Sequence, residues 1–472
     1  MKTYQDYLLI PDTDVARADF ARAVINEHKA SDAYKTAKVG EDYDRQQNTT
    51  IKQYQKVLYD LQGRPYNDTI SANYQIPSNF FHMFVVQAVL TLLGNGITWD
   101  TGAGEALGED FDKQAVFALY GALVHGCSFG LFNLDHVDVF KLTEFAPIYD
   151  EETGALRAGV RFWQLSDDKP LRATLYDENG NVSLLWDNKN DPGQQWTKVK
   201  DGCYMKPRQA YKTVVAHTEA DGDEILDGEN YPTFPIVPLW GNMYKESEIV
   251  GMRPAIDAYD IIKSGFANDL DTAQIFWLLH NTGGMDDVDL SQFLDRLKTV
   301  HAAVVDDDAG GGVEAHTVEI PVNARTQYLE RLRNDLYRDA MALDTETIAA
   351  NAAVTATQIK AAYERFDSKL TFIEYFVIDF IQGLLAVAGV EDTPTFTRSK
   401  ILNTIEEIQA VMAAATNLTP DYVTEKVLTL LGDGDRAEEM LAQMDADELE
   451  RGSVTDDKTD NTENDVPGDE AE

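Results

Sequence analysis

From Ile359 onward, the residues Ile359, Tyr363, Phe366, Leu370, Ile373, Val377 and Phe380 follow one another at spacings of 4, 3, 4, 3, 4 and 3. An α-helix puts such a series on one stripe, because 3.6 residues per turn is met by alternating steps of three and four. A strand would scatter it over both faces. A helix this long with one continuous apolar seam has to bury that seam, so it sets an axis around which the chain must pack. Just before it, Asp344–Thr357 (DTETIAANAAVTAT) offers only small and hydroxyl side chains and reads as a weakly packed loop. Before that, Ala324–Leu343 is again helical in period, with Leu329, Leu332, Leu336 and Leu343 near one face and Arg325, Arg331, Arg333 and Arg338 among its polar positions. Two helices joined by a mobile loop are expected.

The rest of the chain changes character several times. Residues 12–62 alternate charged and apolar positions at helix spacing, with Asp12 or Thr13 as the first cap. Asn67–Ile76 reads as loop. Phe80–Leu93 is an apolar helix opened by Pro77-Ser78-Asn79 and stopped by Gly94-Asn95-Gly96, and Phe111–His125 is another, followed by a strand-like LFNLDHVDVF. From Leu142 to Pro238, short aromatic and β-branched runs separated by ETG, ENGN and DNKNDPG predict an antiparallel region of about six to eight strands. Residues 231–238 form a proline-stiffened exit from it. Ser247 caps a helix reaching Leu279, with Ile256, Tyr259, Ile262, Phe266, Leu270 and Ala273 on one stripe. Residues 285–322 predict a small α/β insertion: a helix (LSQFLDRLKT), a strand (HAAVVD), an acidic glycine turn and a strand (HTVEIPV). Two or three short helices follow over 404–444, and then an acidic stretch too poor in apolar residues to fold.

A chain of 472 residues is long enough for two to four subdomains. Its formal charge is −41; residues 445–472 carry 12 Asp/Glu against 2 Lys/Arg, which leaves about −31 on the rest. Such a body argues against a basic nucleic-acid-gripping groove over most of the surface. Cys127 and Cys203 read as reduced and structural. The N-terminus lacks the pattern of a secretion signal, and the longest apolar run, Met83–Leu93, falls short of the ~20 residues that cross a bilayer. A soluble protein made in a cytoplasm, with no membrane partner, is the expectation.

Three blocks carry a family resemblance. Within Pro235–Asn281 stand Pro235-Ile236, Asn242, Ser247-Glu248-Ile249, Ile256-Asp257, Tyr259-Asp260, Ser264 and Asn268-Asp269. The second block is Glu319–Ile381, and the third and weaker is Glu144–Glu152 (EFAPIYDEE). In order and separation these resemble the portal proteins of tailed double-stranded-DNA phages, over about residues 40–440. The resemblance implies an α+β portal fold with long stem and wing helices, a β-rich wing, a small α/β clip and a helical crown, assembled as a ring, usually of twelve subunits.

By position, it implies an N-terminal helical part of the wing over 1–141, a β-rich wing over 142–246, a first stem helix over 247–275 and a clip over 276–322. A second stem helix over 323–343, a tunnel loop over 344–357, a long wing helix over 358–399, a crown over 400–444 and an acidic tail over 445–472 complete it. The residues it singles out are Tyr259, Ser264, Asn268, Arg325, Arg331, Arg333 and Arg338 in the stem. In the tunnel loop they are Asp344, Thr345, Glu346, Thr347, Ala350, Asn351, Val354 and Thr355. In the clip, which would dock motor and adaptor, they are Asp286, Asp287, Asp295, Arg296, Asp306, Asp307 and Asp308. The implied partners are further copies of the chain, viral double-stranded DNA, the major capsid protein, the terminase large subunit and head-completion (adaptor) proteins, all at the capsid vertex of a virion. The loop departs from a phosphate-gripping one: its only charges are Asp344 and Glu346. Small residues such as Ala349 and Ala353 let it shift, and an electronegative lumen would keep the duplex centred, with Arg325 or Arg333 left for transient contacts.

Signals for chemistry are weak. Gly310-Gly311-Gly312 lacks the Lys-Ser/Thr that a phosphate loop needs. His125 and Cys127 have no partner motif for a metal, and His136 with Asp135 and Asp138 makes no better case. Asp306-Asp307-Asp308 reads as a solvated turn. No catalytic residue, metal or cofactor is expected, and no enzyme activity, so ATP hydrolysis would fall to a separate motor. Two other classes remain: a capsid-associated connector or scaffold protein without a DNA channel, and an enzyme on an acidic scaffold.

Overall fold

A computed structural model describes residues 2–55, 57–59, 64–67, 73–187, 193, 195–218, 224–271, 275–280, 292, 312–317, 320–346, 356–398, 404–431, 440–441 and 443. The helices are α1 (Tyr4–Leu8), α2 (Asp14–Ala30), α3 (Asp32–Asp44), α4 (Thr49–Gln53), α5 (Phe80–Leu93), α6 (Phe111–His125), α7 (Ile249–Asp271), α8 (Val322–Asp339), α9 (Ala356–Ala388), α10 (Thr404–Ala414) and α11 (Pro420–Leu431). The strands are β1 (Val57–Tyr59), β2 (Pro65–Asn67), β3 (Ile97–Trp99), β4 (Cys127–Asn133), β5 (His136–Lys141), β6 (Phe145–Tyr149), β7 (Leu156–Trp163), β8 (Leu171–Asp177) and β9 (Gly180–Trp186). After them come β10 (Thr197–Lys200), β11 (Cys203–Met205), β12 (Lys212–Thr218), β13 (Glu224–Glu229), β14 (Ile236–Trp240), β15 (Ile275–His280), β16 (Gly312–Thr317) and β17 (Pro394–Phe396).

Two compact units emerge, one of residues 1–344 and 364–399, the other of residues 345–363 and 400–472. In the first, β10-β11-β9-β8-β7-β6 form an antiparallel sheet, as the short aromatic and β-branched runs and turn signals predict. The turn after β6 is built by Asp150 of the EFAPIYDEE block, whose carboxylate accepts the backbone N–H groups of Glu152 and Thr153, each at 2.9 Å. Helix α2, capped by the Thr13 hydroxyl, lays Ala18, Ala21, Val24 and Ile25 on that sheet's Val160, Leu175 and Leu184. Each fully buried Val, Leu or Ile is worth about 1.5–3 kcal/mol.

A second sheet, β14-β4-β5, carries a cluster around Phe129, Phe140 and Phe145, with the Phe129 and Phe145 rings 4.5 Å apart. The seam of α9 is buried as its spacing requires: Phe366 is 3% exposed, Leu370 0%, Ile373 2%, Val377 1% and Phe380 2%. Gly130 on β4 makes room for it, since a Cβ there would lie 2.6 Å from Phe380 Cζ. Residues 363–388 have the length and hydropathy of a membrane span; here their apolar seam is core.

Several expectations need correction. The segment 131–140 is a hairpin rather than one strand, because Leu134 takes a left-handed turn at φ +61. Residues 236–240 are not just an exit: they pair with β4 across Ile236–Trp240. Residues 57–59 pair with 65–67, so helix stops short of 62 and a strand lies in the expected loop at Asn67. The helix from Ser247 ends at Asp271 rather than 275 or 279, and the apolar run Ile275–His280 is a strand paired with Gly312–Thr317. Of the expected glycine turn, Gly312 is strand and residues 306–311 lie outside the described residues, and the following helix starts at Val322. In the second unit, α10 and α11 match two of the expected short helices; of the third, Met440, Leu441 and Gln443 are described and helical.

Candidate functional site

Ser247 stands just before α7; its hydroxyl accepts Ile249 N–H at 3.3 Å and donates to the Val124 carbonyl at 2.6 Å. The buried face of α7 differs from the predicted apolar stripe. Ile256 is 1% exposed, but Leu270 is 61% exposed, and the positions that face inward next are polar: Asp260 0%, Ser264 0% and Asn268 5%. These three stand four residues apart, and each accepts a backbone N–H from an extended segment. Ser78 N–H reaches Asp260 Oδ1 at 2.8 Å, Ile76 N–H reaches Ser264 Oγ at 3.0 Å, and Tyr74 N–H reaches Asn268 Oδ1 at 2.6 Å. Alternate amides of 74–78 are thus held by one helix face. Asn48 adds its amide to Asp260 and to the Ser78 carbonyl. Burial raises the Asp260 carboxyl above its usual range, and the hydrogen bonds from Asn48 and Ser78 oppose that shift. One turn earlier, Asp257 accepts from Tyr43 and from Thr50, the latter at 2.8 Å.

Of the stem residues singled out by resemblance, Ser264 and Asn268 therefore fasten the chain to itself. Tyr259 packs edge-on against Phe80 at 5.0 Å. Asn242, from the same motif block, shapes a loop by accepting the N–H groups of Tyr244 (3.1 Å) and Glu246 (3.4 Å).

Helix α8 packs beside α7, and its arginines are ion-paired within the chain. Arg325 pairs with Asp269, and Arg333 pairs with Asp344 at 3.1 Å while lying 5.2 Å from the Tyr337 ring. Arg338 reaches Asp335 at 2.8 Å and Asp339 at 3.2 Å; the more exposed Arg331 is 4.0 Å from Asp335.

The end of α8 is held by contacts that the sequence did not announce. Met341 sits at φ +50, and Ala342 N–H bonds back to the Tyr337 carbonyl at 2.9 Å, a left-handed helix stop of the kind glycine usually makes. Gln87 of α5 then grips Leu343 by both its backbone groups, donating to the carbonyl at 2.9 Å and accepting the N–H at 3.0 Å. Lys369 of α9 bonds Glu248 at 2.7 Å and caps the Ala340 carbonyl at 3.2 Å. The residues just past α8 are thus fixed to α5 and α9, and through Lys369 to Glu248 at the entry to α7. Thr345 and Glu346 are exposed and begin a helical turn. Thr347, Ala350, Asn351, Val354 and Thr355 lie outside the described residues, as do Asp286, Asp287, Asp295, Arg296, Asp306, Asp307 and Asp308.

Among the described residues, no group of three or more His, Cys, Asp or Glu is placed to hold a metal. His125 is buried, with Nδ1 3.0 Å from the Gly121 carbonyl; His136 lies on the surface between Asp135 and Asp138.

Residues 136–451 match the family described as phage portal protein, SPP1 Gp6-like. The portal protein of Clostridium phage phiCD119 is 29% identical over 252 residues, 51% of this chain and 54% of that protein. The portal protein of Bacillus phage SPP1 is 23% identical over 398 residues, 78% of this chain and 75% of that one. The match thus spans about half the length of the first relative and three quarters of the second. Among solved structures, a chain from the neck of an empty GTA particle, computed with C6 symmetry, covers 75% of this chain and 90% of its own, at 12% identity and TM-score 0.36.

Proposed function

Since the chain belongs to the SPP1 Gp6-like family of phage portal proteins, we propose that it is the subunit of the ring at one capsid vertex through which double-stranded DNA is packaged and ejected. The observation that carries this reading is the order α7, β15–β16, α8, α9, with Leu343, just past α8, fastened by Gln87. In this reading α7 and α8 are the paired stem helices, residues 276–322 form the clip that meets the terminase and then the adaptor proteins, and the tunnel loop 344–357 lies at the constriction. Residues 142–246 and α9 belong to the wing, and 400–444 to the crown. The ring is of twelve subunits, and the major capsid protein surrounds it. It is assembled in the host cytoplasm and kept in the virion.

The proposed conduit is passive and electronegative. Duplex DNA carries a phosphate charge every ~1.7 Å, and cationic grooves retain it through counterion release. Arg325 and Arg333, the candidates for transient contacts, are already paired with Asp269 and Asp344. That pairing supports a lumen without strong phosphate contacts. The loop then narrows the channel by bulk and movement on a fixed root, and the chain works as a structural component while a separate motor hydrolyses ATP. Negative-stain microscopy of the purified protein tests the reading: rings with a central hole are expected, and a monomer that forms rings under no condition overturns it.

A further inference from the structure

On a chain of net charge −41, one concave patch is cationic. A cleft of about 220 Å³ opens between α2, the β7–β8 turn and β9; its charged walls are Arg22, Lys29 and Lys169. Ile25, Leu171 and Trp186 also line it. Arg22 and Lys29 stand seven residues apart on α2, two turns along the same side. The Arg22 guanidinium lies 5.3 Å from the Trp186 ring centre, and Lys29 Nζ lies 5.1 Å from that of Phe162. Among the described residues, neither Arg22 nor Lys29 is ion-paired with a carboxylate, in contrast to the arginines of α8. Lys169 has only its neighbour Asp168, at 3.7 Å. Burial, and then the charges of Arg22 and Lys38, lowers the Lys29 pKa.

We propose that this cleft is a docking site for an acidic peptide segment of a partner protein, with two or three carboxylates on Arg22, Lys29 and Lys169 and an aliphatic side chain over Trp186. Guanidinium and ammonium groups held beside the Trp186 and Phe162 rings suit a carboxylate with an apolar neighbour. A nucleic acid suits the cleft less well. Its charge is spread along an extended backbone, so most phosphates would face the acidic body around the patch, whereas a short peptide brings its charge only to the cleft. The proposal concerns a single subunit and does not depend on the ring.

The test is fluorescence anisotropy of a fluorescein-labelled Glu-Glu-Leu-Glu-Glu peptide with the full chain, at about physiological salt. Saturable binding is expected, weakened roughly 30-fold or more by Arg22→Glu with Lys29→Glu, taking about 1 kcal/mol for each lost pair. Lys35→Glu with Lys52→Glu, an equal charge change outside the cleft, is expected to shift it by less than about twofold. Lys169→Glu, in the exposed turn, gives a smaller loss and serves if the double variant fails to fold. Absence of binding, or equal losses in the two double variants, overturns the proposal. Tighter binding of a same-length oligothymidylate at the same salt makes the cleft a nucleic-acid site, and displacement of the peptide by equimolar inorganic phosphate makes it a general anion site; either result also overturns it.

Discussion

Met341 sits at φ +50, where a side chain crowds its own backbone, and it is exposed enough to have no packing reason to be there. Met341→Gly removes that strain, while the freer unfolded chain takes back part of the gain. A net stabilisation of roughly 0.5–1 kcal/mol in urea unfolding is expected; destabilisation would mean that the side chain matters more than the turn. His125 makes a second prediction. Burial lowers its pKa to about 4 from the usual 6.5, so the unfolded chain takes up a proton first as the pH falls. Its contribution is intact above about pH 6.5 and drains as the pH falls toward 4, by roughly 3 kcal/mol in all. His28, also lowered by burial, acts in the same direction. Unfolding free energies measured from pH 7.5 to 4 should show this slope, and His125→Asn should flatten it.

The ladder of Asp260, Ser264 and Asn268 belongs to the scale of the element. Ser264→Ala or Asn268→Ala leaves a partly buried amide of the 74–78 segment without its acceptor, at a cost of about 1–3 kcal/mol each. Losses smaller than the sum are expected in the double variant, because the rungs share one segment; full additivity in urea unfolding would argue against a joint ladder. The same helix shows what the sequence could convey. Phe80–Leu93 and Phe111–His125 were legible to the residue, since apolar period and glycine stops are local signals. The seam of α9 was legible for the same reason. The inner face of α7 was not. Counting apolar residues selects Phe266 and Leu270, whereas the buried positions past Ile256 are polar and are satisfied by donors some 182–194 residues away in the chain. Ser264 and Asn268 were picked out by resemblance, but their bonding to Ile76 and Tyr74 could not be read from it. Gln87 gave no signal at all: a lone glutamine on an apolar helix looks like any solvated position until its partner, Leu343, is placed beside it.

At the scale of the whole molecule, charge dominates. Subunits of −41 repel one another, and salt shortens that repulsion to about 8 Å at physiological ionic strength. The share of rings over monomers is expected to rise between about 20 mM and about 500 mM NaCl in mass photometry; a fall would mean that ion pairs across the interface outweigh net repulsion. Deleting residues 445–472, with 12 acidic side chains, should leave ring formation intact and shift that salt dependence to lower concentration. The ladder on α7 also has a consequence for motion. Four helical residues advance about 6.0 Å, while two extended residues advance about 6.6–6.8 Å. The two scales run like a vernier, and each rung adds about 0.7 Å of mismatch, so alignment survives over only a few marks. A slip by one mark would set a strap amide against Ile256. The 74–78 strap is therefore indexed to one position on the helix, and its three bonds hold or let go together. Amide exchange at Tyr74, Ile76 and Ser78 should follow a single rate.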